Sequence, residues 1–147
     1  MIRGTTLVAV LLAAAVTGCS AVGEAPPSGE PRLIELTMVE PFGYDPAVVE
    51  VRQGETVHFV VRNPTPIDHE MFIGVEAEQD AHESVHQGGA PDADVEHFGY
   101  GIHVVARGTG TLDYTFSELA DVLIGCHMPG HFIAGHVATI HVVPSDS

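Results

Sequence analysis

The chain has 147 residues, with ten histidines, two cysteines, no lysine and no tryptophan, and twenty acids against five arginines give a formal net charge of −15. That length suits one domain, and so acidic a balance excludes nucleic acid and anionic membrane surfaces as partners, since both are polyanions. A solubilising surface, or a basic partner protein, fits it instead.

In chain order, Met1-Ile2-Arg3 makes a short basic start and residues 7–16 form an almost unbroken apolar run. The run is too short to span a bilayer and reads as the core of an export signal. Val16-Thr17-Gly18-Cys19 resembles the lipobox of bacterial lipoproteins, which implies cleavage before Cys19 and a lipid on its thiol. The alternative is an ordinary signal peptide with an incidental cysteine. The expected division is a signal peptide over 1–18, a lipidated flexible tether over 19–31 and one folded domain over 32–147. The tether is rich in Pro, Gly, Ser and Glu and has little to bury. With Cys19 lipidated, Cys126 has no disulfide partner, and an unpaired cysteine in an exported protein points to a reactive or metal-bound thiol.

From residue 33 the texture changes to short β-branched runs broken by turn residues. Strands are expected over 33–39, 48–52, 56–62, 70–75, 102–107, 111–116, 122–126 and 137–143, with Arg52-Gln53-Gly54-Glu55 and Asn63-Pro64-Thr65-Pro66 as turns. Val57, Phe59 and Val61 alternate with His58, Val60 and Arg62 and define one apolar face. Short strands at this spacing point to an antiparallel sandwich. Residues 76–99 are the exception, an acidic stretch too long for a plain connection, with a short helix over 76–86 as one option.

The chemistry concentrates in Cys126-His127-Met128-Pro129-Gly130-His131-Phe132-Ile133-Ala134-Gly135-His136. Pro129 and Gly130 permit a sharp bend, so that Cys126 and His131 converge on one ion from a single loop. A third ligand must come from elsewhere, and His69, at the mouth of a strand, is the best candidate. Two imidazoles and a thiolate form the trigonal set of blue copper sites.

Phe42-Gly43-Tyr44-Asp45-Pro46, residues 48–51, Gly54, residues 57–63, His69 and the 126–131 loop follow the order of landmarks in plastocyanin/azurin-type cupredoxins. The chain resembles that family over residues 33–143, apart from the acidic loop. The resemblance implies an all-β, antiparallel Greek-key β-sandwich. It also implies one copper ion with His69, Cys126 and His131 as equatorial ligands, and electron exit at the edge of His131. One departure stands out. Five residues after His131 the family places a weak axial methionine, sometimes glutamine, and here that position is His136. An imidazole binds more tightly than a thioether, stabilises Cu(II) and lowers the reduction potential. Cys with three His is also a four-coordinate zinc set, and a His136 turned outward would leave a three-coordinate ion. Met71 and Met128 are the alternative thioether donors, Met71 being weighted towards core filling and Met128 towards an apolar rim.

His82-Glu83-Ser84-Val85-His86 matches the H-E-x-x-H pattern of zinc proteases, a reading set aside because the segment is polar and a second subdomain has no room. His82, His86 and His97 are instead candidates for an auxiliary metal site, against a solvated loop. His58, His103 and His141 are expected to face solvent, and His127 to meet a redox partner or nothing. Asp68 or Glu70 is a candidate to orient a ligand. The first functional reading is a monomeric, lipid-anchored single-electron carrier facing the periplasm or cell exterior, serving a redox partner protein. The alternative is a copper-handling lipoprotein that stores, delivers or senses the ion, with a copper donor or acceptor as partner. Catalysis is not expected, since oxidases and nitrite reductases of this superfamily need further domains and copper sites.

Overall fold

Alternating apolar residues build the architecture strand by strand. The computed structural model describes residues 29–86 and 100–145; the expected signal peptide, Cys19, nearly all of the tether and His97 lie outside them. The described elements are β1 (Arg32–Met38), β2 (Tyr44–Asp45), β3 (Val48–Arg52), β4 (Thr56–Arg62), β5 (His69–Gly74), α1 (Glu76–His86), β6 (Gly101–Val104), β7 (Thr109–Thr115), β8 (Asp121–Gly125) and β9 (Val137–Val143). The short β2 is the one strand that the sequence pattern does not announce.

Two sheets, ordered β2-β1-β4-β7 and β3-β9-β8-β5-β6, enclose a core of Leu36, Met38, Val57, Phe59 and Val61 against Val49, Val51, Ile73, Ile124 and Ile140. The expected β-sandwich is therefore present, but its pairing is not antiparallel throughout. β1 runs parallel to β4 and β3 runs parallel to β9. Parallel neighbours need a crossover rather than a hairpin, and the chain supplies one by visiting the second sheet as β3 between β1 and β4.

Strand β5 is buried along its whole length. Its inward side chains, Met71 and Ile73, join the sandwich core, while Phe72 on the opposite face lies beneath α1, stacked on His82 at 4.1 Å between ring centroids. The helix expected as an option over 76–86 is thus real, and it covers one face of β5 and β8. Met71 is core filling, as weighted.

Candidate metal centre

The β8–β9 hairpin fixes which side chains of the 126–136 loop face inward. Val122 opposes Ile140 and Ile124 opposes Ala138, all four buried in the sandwich. The ladder continues one step further through Cys126 N–H to His136 O at 3.1 Å. Strand alternation then turns Cys126 and His136 to the same inner face. His131 N–H donates to Met128 O at 2.8 Å, and His136 N–H to His131 O at 3.0 Å, with Gly130 at φ 83° making the left-handed turn that glycine favours. His69 reaches the same point from the start of β5, in phase with Met71 and Ile73.

The result is one cluster in which ligand atoms of His69, Cys126, His131 and His136 all lie within 4.8 Å of one another. Cys126 Sγ is 3.6 Å from His69 Nδ1 and 3.4 Å from His131 Nδ1. Phe42 packs on His131 at 4.8 Å and Tyr44 on His136 at 4.7 Å between centroids, so the aromatic pair that marked the family resemblance forms one wall of the site. His136 is fully buried, and its ring nitrogens make no well-formed hydrogen bond, the Gly43 backbone being the polar group that approaches them. It has not turned outward.

A buried ring nitrogen without a partner costs free energy unless something satisfies it; a metal ion at the centre of the four donors would take one nitrogen of His136, and the Gly43 backbone is the polar group that approaches the ring besides. A thiolate with three imidazoles fits one copper ion. The electrostatics agree. Burial, reinforced by the His131 imidazole, lowers His69 to about 4; burial, then His69 and His131, lowers His136 to about 3, partly offset by the Gly43 backbone. His131 is lowered by burial as well. The imidazoles therefore keep their lone pairs free at neutral pH. Burial pushes the Cys126 thiol up to about 12, although backbone hydrogen bonds from Glu70 and Met128 oppose the rise.

Supporting residues fix the ligands. Thr65 Oγ1 lies 2.7 Å from Asn63 Oδ1 and donates to it, so at 3.0 Å it accepts from His69 Nε2–H. That bond leaves the His69 Nδ1 lone pair aimed at the site. Asn63 is in turn tied through its amide nitrogen to the carbonyls of Ile67, Val104 and Val105. Glu70 N–H points at Cys126 Sγ at 3.4 Å, and Tyr44 O–H donates to Glu70 O at 2.6 Å.

The remaining expectations divide. His58, His103 and His141 are on strand surfaces beside Asp113, Asp68 and Asp121. Asp68 is exposed and accepts from Ala106 N–H, whereas Glu70 is buried and accepts from His127 N–H at 2.6 Å. His127 does not meet solvent or a partner: it is buried, with Nδ1 2.7 Å from Glu83 Oε2 and Nε2 2.7 Å from Gln79 Oε1. As the residue after Cys126 it alternates to the outer face of β8, where α1 covers it. The H-E-x-x-H stretch is helical, but His82 Nε2 turns to Glu70 Oε1 at 3.2 Å. The side chain of His86, and all of His97, lie outside the described residues. Thr65 and Gln79 escaped the sequence reading as site residues, while Tyr44 entered it only as a family landmark and Glu83 only within the H-E-x-x-H stretch; alternation about Cys126 and His69 was the signal that pointed to what lies beneath α1.

No family model matches the chain. It is 34% identical over 112 residues to the copper-resistant cuproprotein CopI of Rubrivivax gelatinosus, a match covering 76% of this chain and 66% of that relative. The chain thus spans just under two thirds of that relative's length. It is 26% identical over 140 residues to the copper-resistant cuproprotein CopI of Pseudomonas aeruginosa PAO1, covering 77% of each. Among solved structures it is similar to auracyanin A, a "blue" copper protein from Chloroflexus aurantiacus (TM-score 0.63, 21% identity, 78% of this chain and 100% of that one). Dithionite-reduced auracyanin from Roseiflexus castenholzii is a second such neighbour (TM-score 0.62, 19% identity, 79% and 100%).

Proposed function

Taking as premise that the chain is a copper-binding protein of the cupredoxin type, we propose that it handles copper outside the cytoplasm, sequestering one ion on His69, Cys126, His131 and His136 rather than cycling it between redox partners. The observation that carries this reading is His136, a buried imidazole whose ligand atom lies within 4.8 Å of those of His69, Cys126 and His131, where the family's electron carriers present a weak thioether. A fourth strong donor holds Cu(II) tightly and disfavours its reduction. The two relatives named as copper-resistant cuproproteins support the same reading, and the apolar run over residues 7–16, read as an export signal, fits a site outside the cytoplasm. When bound, copper would supply a single ion held by a thiolate; the chain's own residues supply three neutral imidazoles and a closed hairpin that orients them.

An electron carrier is the second reading, favoured by His131, which is only half-buried and neighbours the exposed Ile133, an edge through which an electron would pass. The deciding measurement is the visible and EPR spectrum of residues 20–147 with one equivalent of Cu(II), followed by voltammetry. An intense thiolate band with wide copper hyperfine splitting and a low potential supports handling. Narrow splitting with a reversible, high potential would return the role to electron transfer. No thiolate band would remove Cys126 from the ligand set. His136→Met is expected to raise the potential and narrow the splitting; an unchanged spectrum would mean that His136 is not a ligand.

A further inference from the structure

Behind the metal centre, on the outer face of β5 and β8, lies a second polar cluster that the four donors do not use. Gln79, His82, Glu70 and His127 are each buried almost completely, and Glu83 is 13% exposed. The amide nitrogen of Gln79 faces three carbonyls, those of Phe72, Gly74 and Leu123. Its oxygen is therefore the atom that meets His127 Nε2, which must donate. The other ring nitrogen meets the Glu83 carboxylate, so one proton is shared along that bond. Phe132 stacks on the same ring at 4.3 Å. His127 is thus gripped at both nitrogens and on one face. Glu70 is gripped in the same way, its Oε1 accepting from His127 N–H and from His82. The two gripped residues are the immediate neighbours of two ligands, Cys126 and His69, and the Glu70 amide is the group that points at the Cys126 sulfur.

We propose that helix α1 is a built part of the metal centre, in which Gln79, His82 and Glu83 are positioning residues that hold His127 and Glu70 and so set the placement of Cys126 Sγ and its hydrogen bond from the Glu70 amide. A hydrogen bond to a thiolate withdraws charge from the sulfur, so its geometry tunes how strongly the sulfur donates to the ion. Buried polar networks of this kind are costly unless fully satisfied, and outer partners of metal ligands tune affinity as well as orientation. The H-E-x-x-H stretch thereby has a use: its first two residues point from the helix to the backs of the two ligand-bearing strands.

The inference rests on the copper reading above, and the experiment separates the two. The full chain and its Glu83→Ala, Glu83→Gln, His82→Gln and Asp80→Ala variants are each loaded with one equivalent of Cu(II). The absorption and EPR spectra, and the affinity by chelator competition, are then measured. Absence of a thiolate band in the unaltered chain sinks the ligand assignment itself, before any variant is compared. Given that band, Glu83→Ala is expected to displace it and to lower affinity about 10- to 100-fold. Glu83→Gln, whose amide still reaches His127 Nδ1, restores the spectrum, and Asp80→Ala, on the exposed side of the helix, leaves it unchanged. His82→Gln tests the Glu70 arm and carries the comparison should Glu83→Ala fail to fold. A band and hyperfine splitting identical to the unaltered chain in both Glu83→Ala and His82→Gln would overturn the proposal, whatever happens to thermal stability.

Discussion

A buried imidazole offers a metal the nitrogen that its other hydrogen bond leaves free, and in His69 Thr65 makes that choice. Thr65→Val keeps the shape and removes the hydroxyl, leaving His69 Nε2–H without its acceptor. An orphaned buried donor costs about 1–3 kcal/mol, and loss of an outer partner about 10- to 100-fold in metal affinity. Denaturant melts of the metal-free chain and a chelator titration check both numbers; unaltered affinity would mean that Thr65 does not orient the ring. At Cys126 the argument concerns a proton. With its thiol at about 12 and two of the imidazoles at about 4 and about 3, only the cysteine must lose a proton when Cu(II) binds near neutrality. Affinity should therefore rise about tenfold per pH unit between pH 7 and pH 9. A titration series giving a slope of two would show that one of the histidines also starts protonated.

At the scale of elements, alternation did most of the work that could be done in advance. Val57, Phe59 and Val61 announce β4, and the spacing of Cys126, His131 and His136 announces a ligand loop without any knowledge of the partner strand. What alternation cannot announce is coverage. Residues 70–75 read as an ordinary strand because nothing local says that a polar helix returns over its outer face, so His127 looked like a surface residue and Glu70 like one of two flanking acids. β2 escaped for a different reason: two residues paired at the end of β1 carry no period at all. The parallel pairings likewise depend on which sheet each segment joins, a tertiary matter. The closeness of α1 to β8 is testable at Gly125, where an added Cβ would come within 2.4 Å of Gln79 Oε1 and 2.9 Å of His127 Nε2. Gly125→Ala should push the helix outward and cost about 1–3 kcal/mol, the usual penalty of overpacking, read as a lower denaturant midpoint. A midpoint equal to that of the unaltered chain would mean that α1 sits looser on the sheet than these distances imply.

For the whole molecule, the metal centre makes stability depend on pH through two routes that act in the same direction. In the unfolded chain each histidine titrates near its ordinary value of about 6.5, whereas burial holds His69 near 4 and His136 near 3 in the fold and lowers His131 too. Groups depressed in this way leave the unfolded state binding more protons, so stability is complete above pH 6.5 and is lost as the pH falls through the folded values. The metal-free chain should therefore melt at a lower temperature at pH 5 than at pH 7. An ion that binds only the folded chain adds about 4 kcal/mol when present at about a thousand times its dissociation constant. That gain shrinks by about 1.4 kcal/mol for each pH unit of acidification, because one thiol proton competes with the ion. Scanning calorimetry of loaded and metal-free chain at pH 5, 6 and 7 should thus show both melting temperatures falling and the gap between them narrowing. A gap independent of pH would mean that copper binds without displacing the Cys126 proton, and the thiolate would lose its place in the site.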